Sequence, residues 1–317
     1  MREADRLVEC VPNLSEGRRP EVVDQLVAAF AGVAGVLLLD RSSDPDHNRS
    51  VVTLAGPGPA LVDAAVAGAG ACARLIDLRA HHGVHPRMGA LDVLPFVPLG
   101  RDTRLDGAAE PALDCAALAR LAGRRVAAET GVPVYLYGAA AARPERAALP
   151  AVRRRFEALR HGAATGHAPD LGGPAPHPTA GAVAVGARPP LVAYNVDLAG
   201  GDLDLARRIA AAVRERDGGL PAVRAMGVPL AGRGLVQVSM NLLDYKVTPP
   251  AAAFAAVAGL AARAGARVVR SEIVGLVPAA ALDGTDPADL ALDGFTGDQV
   301  LEVRVAAALQ TNTEVVP

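Results

Sequence analysis

Three imidazoles and a guanidinium stand close together in His81-His82-Gly83-Val84-His85-Pro86-Arg87-Met88-Gly89. A histidine with its ordinary pKa of about 6.5 can accept and return a proton at neutral pH, and an arginine beside it can hold a carboxylate. His81 and His85 have the i, i+4 spacing of a zinc pair on a helix, but Gly83 and Pro86 oppose such a helix. His82 also occupies the place of the acid in an HExxH motif. Proton transfer without a metal is therefore the leading chemical reading; a loop histidine bonded to backbone is the plain structural one. Met88 reads as core packing.

Two other polar segments could reach such a loop. Asp44-Pro45-Asp46-His47-Asn48-Arg49-Ser50 has the composition of a hairpin turn, yet a turn alone does not need His47, Asn48 and Arg49 in succession. Val11-Pro12-Asn13-Leu14-Ser15-Glu16-Gly17-Arg18 follows an apolar run and suits either a helix entry or an amide contact through Asn13. Ser15 has no G-x-S-x-G setting, and no Walker loop or GxGxxG fingerprint follows an expected strand, so serine hydrolysis and nucleotide use are unsupported. The run Arg153-Arg154-Arg155 reads as a solvated face.

The elements that must position these residues show two similar series. In the N-terminal half, strands are expected at Leu7 to Val11, Val36 to Asp40, Ser50 to Ala55 and Ala90 to Val97, with helices at Pro20 to Phe30 and Pro59 to Leu75. A helix from about Pro111 to Thr130, a strand at Val132 to Tyr137 and a helix near Pro144 to His161 enlarge that half. In the C-terminal half the pattern predicts a strand at Leu191 to Leu198, a helix capped by Asp202, strands at Ala222 to Val228 and Leu235 to Leu242, a helix from Pro249 and Pro250, and a strand from Arg267 to Val277. Each series is βαββαβ, the split βαβ of ferredoxin-like folds. The expected class is α/β (α+β): two ferredoxin-like sandwich domains, 1–180 and 181–317, with a substrate cleft between them. Gly162 to Pro190, without a sustained period, reads as the loop joining them.

Bulk properties agree with such a chain. Its 317 residues suit two domains at about 150 residues each. A net charge of −2 argues against nucleic-acid or anionic-membrane partners. Cys10, Cys72 and Cys115 stand far apart without CxxC spacing, as reduced thiols of a cytoplasmic protein would. The charged N-terminus lacks a secretory core, and the longest apolar run, Ala251 to Ala262, is too short to span a bilayer.

In order and spacing, several segments resemble the glutamate formimidoyltransferase family of histidine degradation. They are Val8-Glu9-Cys10-Val11-Pro12-Asn13-Leu14-Ser15-Glu16-Gly17, Asn48-Arg49-Ser50, Leu75-Ile76-Asp77, His85-Pro86-Arg87-Met88-Gly89-Ala90-Leu91-Asp92-Val93, Val134-Tyr135-Leu136-Tyr137-Gly138, Gly186-Ala187-Arg188, Asn241-Leu242-Leu243-Asp244-Tyr245 and Val274-Gly275-Leu276-Val277-Pro278. The resemblance implies transfer of a formimino group between 5-formiminotetrahydrofolate and L-glutamate, giving N-formimino-L-glutamate. It further implies that His85 is the catalytic acid/base, with tetrahydrofolate as co-substrate. The family's folate loop falls on Gly172, Gly173, Pro174, Ala175, Pro176, His177, Pro178, Thr179, Ala180 and Gly181. The expected form is the one without a cyclodeaminase domain, and a homodimer is expected.

Substrate carboxylates suit Arg49, Arg87 and Arg188 chemically, with Asn13, His47 and Asn48 as further contacts. No step needs a metal. Val84 stands where related sequences carry an acid, so a carboxylate that orients His85 must come from elsewhere. His177 and Ala180 replace residues that are aromatic in some relatives, which removes a stacking surface. A formyl rather than formimino donor, a non-catalytic folate-binding protein, and a metal hydrolase using the histidine cluster are the competing readings.

Overall fold

The computed structural model describes residues 3–105, 110–161 and 168–313; the opening of the expected joining loop, 162–167, lies outside them. The chain divides into two compact units, 1–188 and 189–317.

In the first unit, β1 (Val8–Cys10) and β2 (Asn13–Leu14) are followed by α1 (Pro20–Ala31), β3 (Leu37–Asp44), β4 (Arg49–Gly56), α2 (Gly58–Leu75) and β5 (Leu91–Pro98). β1 and β2 are two pieces of one strand path interrupted at Val11-Pro12, and both pair antiparallel with β4 on one side and β5 on the other. Pro12 lacks the N–H that a continuous ladder needs. α1 starts on Pro20 and buries Val22, Val23, Leu26, Val27 and Phe30, the 3.6-residue stripe of an amphipathic helix. Each such side chain contributes roughly 1.5–3 kcal/mol by leaving water.

The unit continues through α3 (Cys115–Thr130), β6 (Val134–Gly138), α4 (Leu149–Val152), α5 (Phe156–Arg160) and β7 (Val183–Ala187). The Asp114 side chain accepts the Ala116 N–H and so starts α3, which is why the helix begins later than Pro111. A single helix over Pro144 to His161 is not found. Its place is taken by a 3-10 turn at Pro144–Arg146 and the short α4 and α5. Arg153 and Arg155 are extended between them, because Arg153 leaves the helical path to reach an interior carboxylate described below.

The stretch read as a joining loop also contains β7. This strand runs parallel to both β5 and β6 and is buried along its whole length. Covered on both faces, Val-Ala-Val-Gly-Ala shows no alternation, the period that marks a half-exposed strand. Because β7 belongs to the first sheet, the division falls after Arg188 rather than after Ala180. The seven strands run β3-β4-β1/β2-β5-β7-β6. α1, α2 and α3 share one apolar cluster with the sheet, and Val152, Leu159, Tyr135, Tyr137, Met88 and Val93 form another.

The second unit runs β8 (Val192–Ala199), α6 (Leu203–Val213), β9 (Val223–Leu230), β10 (Leu235–Leu242), α7 (Pro250–Arg263), β11 (Arg267–Ile273) and α8 (Leu301–Thr313). Its antiparallel sheet has the order β11-β8-β10-β9. Asp202 caps α6, accepting the Leu205 N–H at 2.7 Å. Val236, Val238, Met240 and Leu242 of β10 enter the core, as their alternation requires. Among the described residues no helix is long and apolar enough to cross a membrane.

Candidate active site

Three loops meet where β2 ends and β4 and β5 begin. Asn48 holds them together from a left-handed backbone position (φ 48°) that asparagine tolerates better than most residues. Its Oδ1 accepts the Gly17 N–H at 3.0 Å, and its Nδ2 donates to His82 O at 3.0 Å. His81 is buried, with Nε2 at 3.0 Å from Asn48 O. Gly83 permits this approach: a Cβ there would stand 2.3 Å from His47 O. Asp44 anchors the turn by accepting the His47 N–H at 2.7 Å.

His85 stands at the centre of the cluster. Its ring lies 6.1 Å from that of His47, centroid to centroid. Its Nδ1 lies 2.8 Å from Pro86 O, 3.1 Å from Arg49 Nη1 and 3.3 Å from Arg153 Nη2. A carbonyl oxygen only accepts and a guanidinium only donates, so Nδ1 can serve one kind of neighbour. Both guanidinium groups already donate to the Asp92 carboxylate, at 2.7 Å for Arg49, so we assign the proton to Nδ1, donating to Pro86 O. Nε2 then carries the lone pair, and it has no hydrogen-bond partner among the described residues.

The electrostatics keep that imidazole neutral. Burial first, and then the positive charges of Arg49 and Arg153, hold His85 well below its ordinary pKa; Asp92 opposes them. Asp92 itself has no solvent exposure. Burial works against its charge, but Arg153, Arg49 and the Met88 N–H, at 2.7 Å from Oδ1, hold its carboxyl below the usual range. The carboxylate linked to His85 in this structure is Asp92, through Arg49 and Arg153. The register explains the meeting: Asn13 of β2 pairs with Val51 of β4 and Val93 of β5, which brings Arg49 and Asp92 to either side of it.

The other expected contacts are placed as follows. Asn13 Oδ1 accepts from Arg49 Nη2 at 2.6 Å, so Asn13 and Asp92 together immobilise Arg49. Arg87 faces a different set of partners: its Nη2 donates to Leu78 O, His81 O and Glu157 at 3.2, 3.0 and 2.9 Å. Arg49 and Arg87, two of the three arginines expected to suit substrate carboxylates, are therefore engaged internally. Arg188 lies by Tyr137, whose hydroxyl it hydrogen-bonds. His47 and Asn48 belong to the His85 cluster by the contacts above.

The loop Gly172 to Gly181 is half fixed and half open. His177 and Gly181 exchange backbone hydrogen bonds of 2.7 and 3.0 Å, Thr179 O accepts from Leu78, and Ala180 O accepts from Ala90. This half lies along Met88 to Ala90, the chain that follows His85. Gly89 makes the contact possible, because a Cβ there would stand 2.0 Å from Ala182 O. Gly172 to Ala175 are exposed. Ala180 is buried in the core, so that position offers no stacking face in this chain.

Arg153 is the site residue that sequence reasoning missed. The run Arg153-Arg154-Arg155 reads as one solvated face, but only Arg154 and Arg155 are exposed; the Arg153 side chain is 19% exposed and paired with Asp92. Pro150 in the preceding turn was the available signal that a long helix, and with it a uniform solvated face, would not form there. Among the described residues no group of three or more His, Cys, Asp or Glu side chains could hold a metal.

Residues 7–188 match the formiminotransferase domain, N-terminal subdomain, and residues 193–287 match the formiminotransferase domain. The chain is 44% identical to a glutamate formimidoyltransferase of Thermoplasma acidophilum over 306 residues, which cover 95% of this chain and 98% of that protein. It is 42% identical to a glutamate formimidoyltransferase of Streptococcus pyogenes, covering 87% of this chain and 91% of that one. Against a formimidoyltransferase-cyclodeaminase of Sus scrofa it is 43% identical, covering 87% of this chain and 51% of the relative. The chain belongs to the formiminotransferase family.

Proposed function

We propose that this chain is a glutamate formimidoyltransferase, moving the formimino group between N5 of tetrahydrofolate and the amino group of L-glutamate, with His85 as general acid/base. The observation that carries the mechanism is the His85 ring, bound at Nδ1 and, among the described residues, without a hydrogen-bond partner at Nε2. An amine that attacks the amidine carbon must lose a proton, and the departing nitrogen must gain one. Nε2 can take the first and return it as the second, so no net proton is left on the ring.

Folate contact is placed at the exposed stretch Gly172 to Ala175, where there is room for a ligand: a Cβ at Gly173 would meet nothing within 4 Å. Asn13, His47, Asn48, Arg49, Arg87 and Arg188 remain the proposed substrate-side residues, with Arg49 and Arg87 acting chiefly by holding the walls of the site. The sheet order of each unit supports reading both as ferredoxin-like sandwiches. Free, buried Cys10, Cys72 and Cys115 support a cytoplasmic setting, and a homodimer is the assembly proposed for test by sedimentation.

The test offers purified protein 5-formiminotetrahydrofolate or 5-formyltetrahydrofolate, with and without glutamate, in the presence of a chelator, and follows free tetrahydrofolate. Release from the formimino compound that requires glutamate is expected. Release only from the formyl compound would move the assignment to formyl transfer, and release from neither would remove it.

A further inference from the structure

Arg153 stands in a run of arginines that reads as a solvated face, yet its guanidinium closes the His85 cluster. Its Nη2 donates to Asp92 Oδ2 and to Pro86 O, the carbonyl that also accepts from His85, and lies 3.3 Å from His85 Nδ1. Its Nε–H is buried with no hydrogen-bond partner among the described residues. An unsatisfied buried donor is costly, so the side chain is held here by what Nη2 reaches rather than by completion of its own bonds. Arg49 reaches the same carboxylate oxygen from β4, so Asp92 stands between two cations that both face the Nδ1 edge of one imidazole.

We propose that Arg153 is a positioning residue: with Arg49, and across Asp92, it clamps the Nδ1 side of His85 so that the ring presents a bare Nε2 and works as a neutral base. The charged and titratable groups that face the ring are Arg49 from β4, Arg153 from the segment after α4, Asp92 from β5, and His47 from the turn before β4. Removing Arg153 deletes one cation and leaves Asp92 less neutralised. Both changes favour the imidazolium, so they act in the same direction.

This reading rests on His85 as the acid/base, and the experiment separates the two ideas. Arg153→Gln and Arg153→Lys are compared with wild type by nitrogen NMR titration of the His85 ring, which needs no turnover, and by the pH dependence of kcat/KM. In Arg153→Gln the ring should protonate about one pH unit higher, and the acid limb of kcat/KM should move with it. Arg153→Lys, which keeps the charge, should restore most of both. A ring titration unmoved in Arg153→Gln overturns the proposal, whether or not KM for either substrate rises. A ring titration that moves while the acid limb stays fixed upholds the clamp and instead removes His85 as the base.

Discussion

Asp92 Oδ2 lies 2.7 Å from Arg49 Nη1, and the carboxylate has no exposure to solvent. This pair and its second cation, Arg153, are a buried charge cluster, in which the loss of one partner strands the others. Asp92→Asn would leave two guanidinium groups facing each other without an anion. A loss of roughly 3–5 kcal/mol in unfolding free energy is expected by urea denaturation. A loss below about 1 kcal/mol would show that water already screens the cluster.

The same cluster makes stability depend on acid. The unfolded chain binds a proton at His85 near pH 6.5, while the folded chain, with its His85 pKa well depressed, does not. The stability His85 contributes is therefore full above that value and declines as pH falls below it. Asp92 adds a second decline as pH falls through the ordinary carboxylate range toward its depressed folded value. Between pH 6.5 and 5, His85→Gln should flatten the slope of unfolding free energy by up to about 1.4 kcal/mol per pH unit. Parallel slopes in wild type and variant would show that His85 charges freely in the native state.

The fold was legible where local chemistry marks its own boundaries. The Asp202 cap, the alternation of Val236 to Leu242 and the Pro249-Pro250 start place the start of α6, the whole of β10 and the start of α7 within a residue or two. β7 was hidden because a strand covered on both faces has no period of two. Of the site, Asn13, Arg49 and His85 were each visible as unusual residues in a turn or loop. Their meeting depends on the order of β4, β2 and β5, which is a non-local property. Arg153 was hidden because its two exposed neighbours are also arginines.

Arg87 offers a direct comparison between holding a loop and holding a substrate. Its three bonds tie the chain at Leu78 and His81 to α5, so Arg87→Ala should cost roughly 1–3 kcal/mol in stability. KM for glutamate and folate should change less than tenfold. Glu157→Gln should cost at most about 1 kcal/mol, since Glu157 is the exposed partner. A tenfold higher KM at unchanged stability in Arg87→Ala would make Arg87 a carboxylate ligand instead.

The two halves of the Gly172 to Gly181 loop should respond differently to ligand. Hydrogen exchange at His177 to Gly181 is expected to be slow already without folate, because these amides are bonded within the first unit. At Gly172 to Ala175 it should slow on adding tetrahydrofolate. Unchanged exchange at Gly172 to Ala175 with saturating folate would remove the loop from the folate site.

His85 itself is tested most directly by a single turnover of 5-formiminotetrahydrofolate with glutamate on wild type and His85→Ala, with folate affinity measured on both. The expected result is transfer slower by about two to four orders of magnitude in His85→Ala, at nearly unchanged folate affinity. Transfer at the wild-type rate by His85→Ala, or an equal loss from His81→Ala alone, would contradict the assignment of the proton transfers to His85.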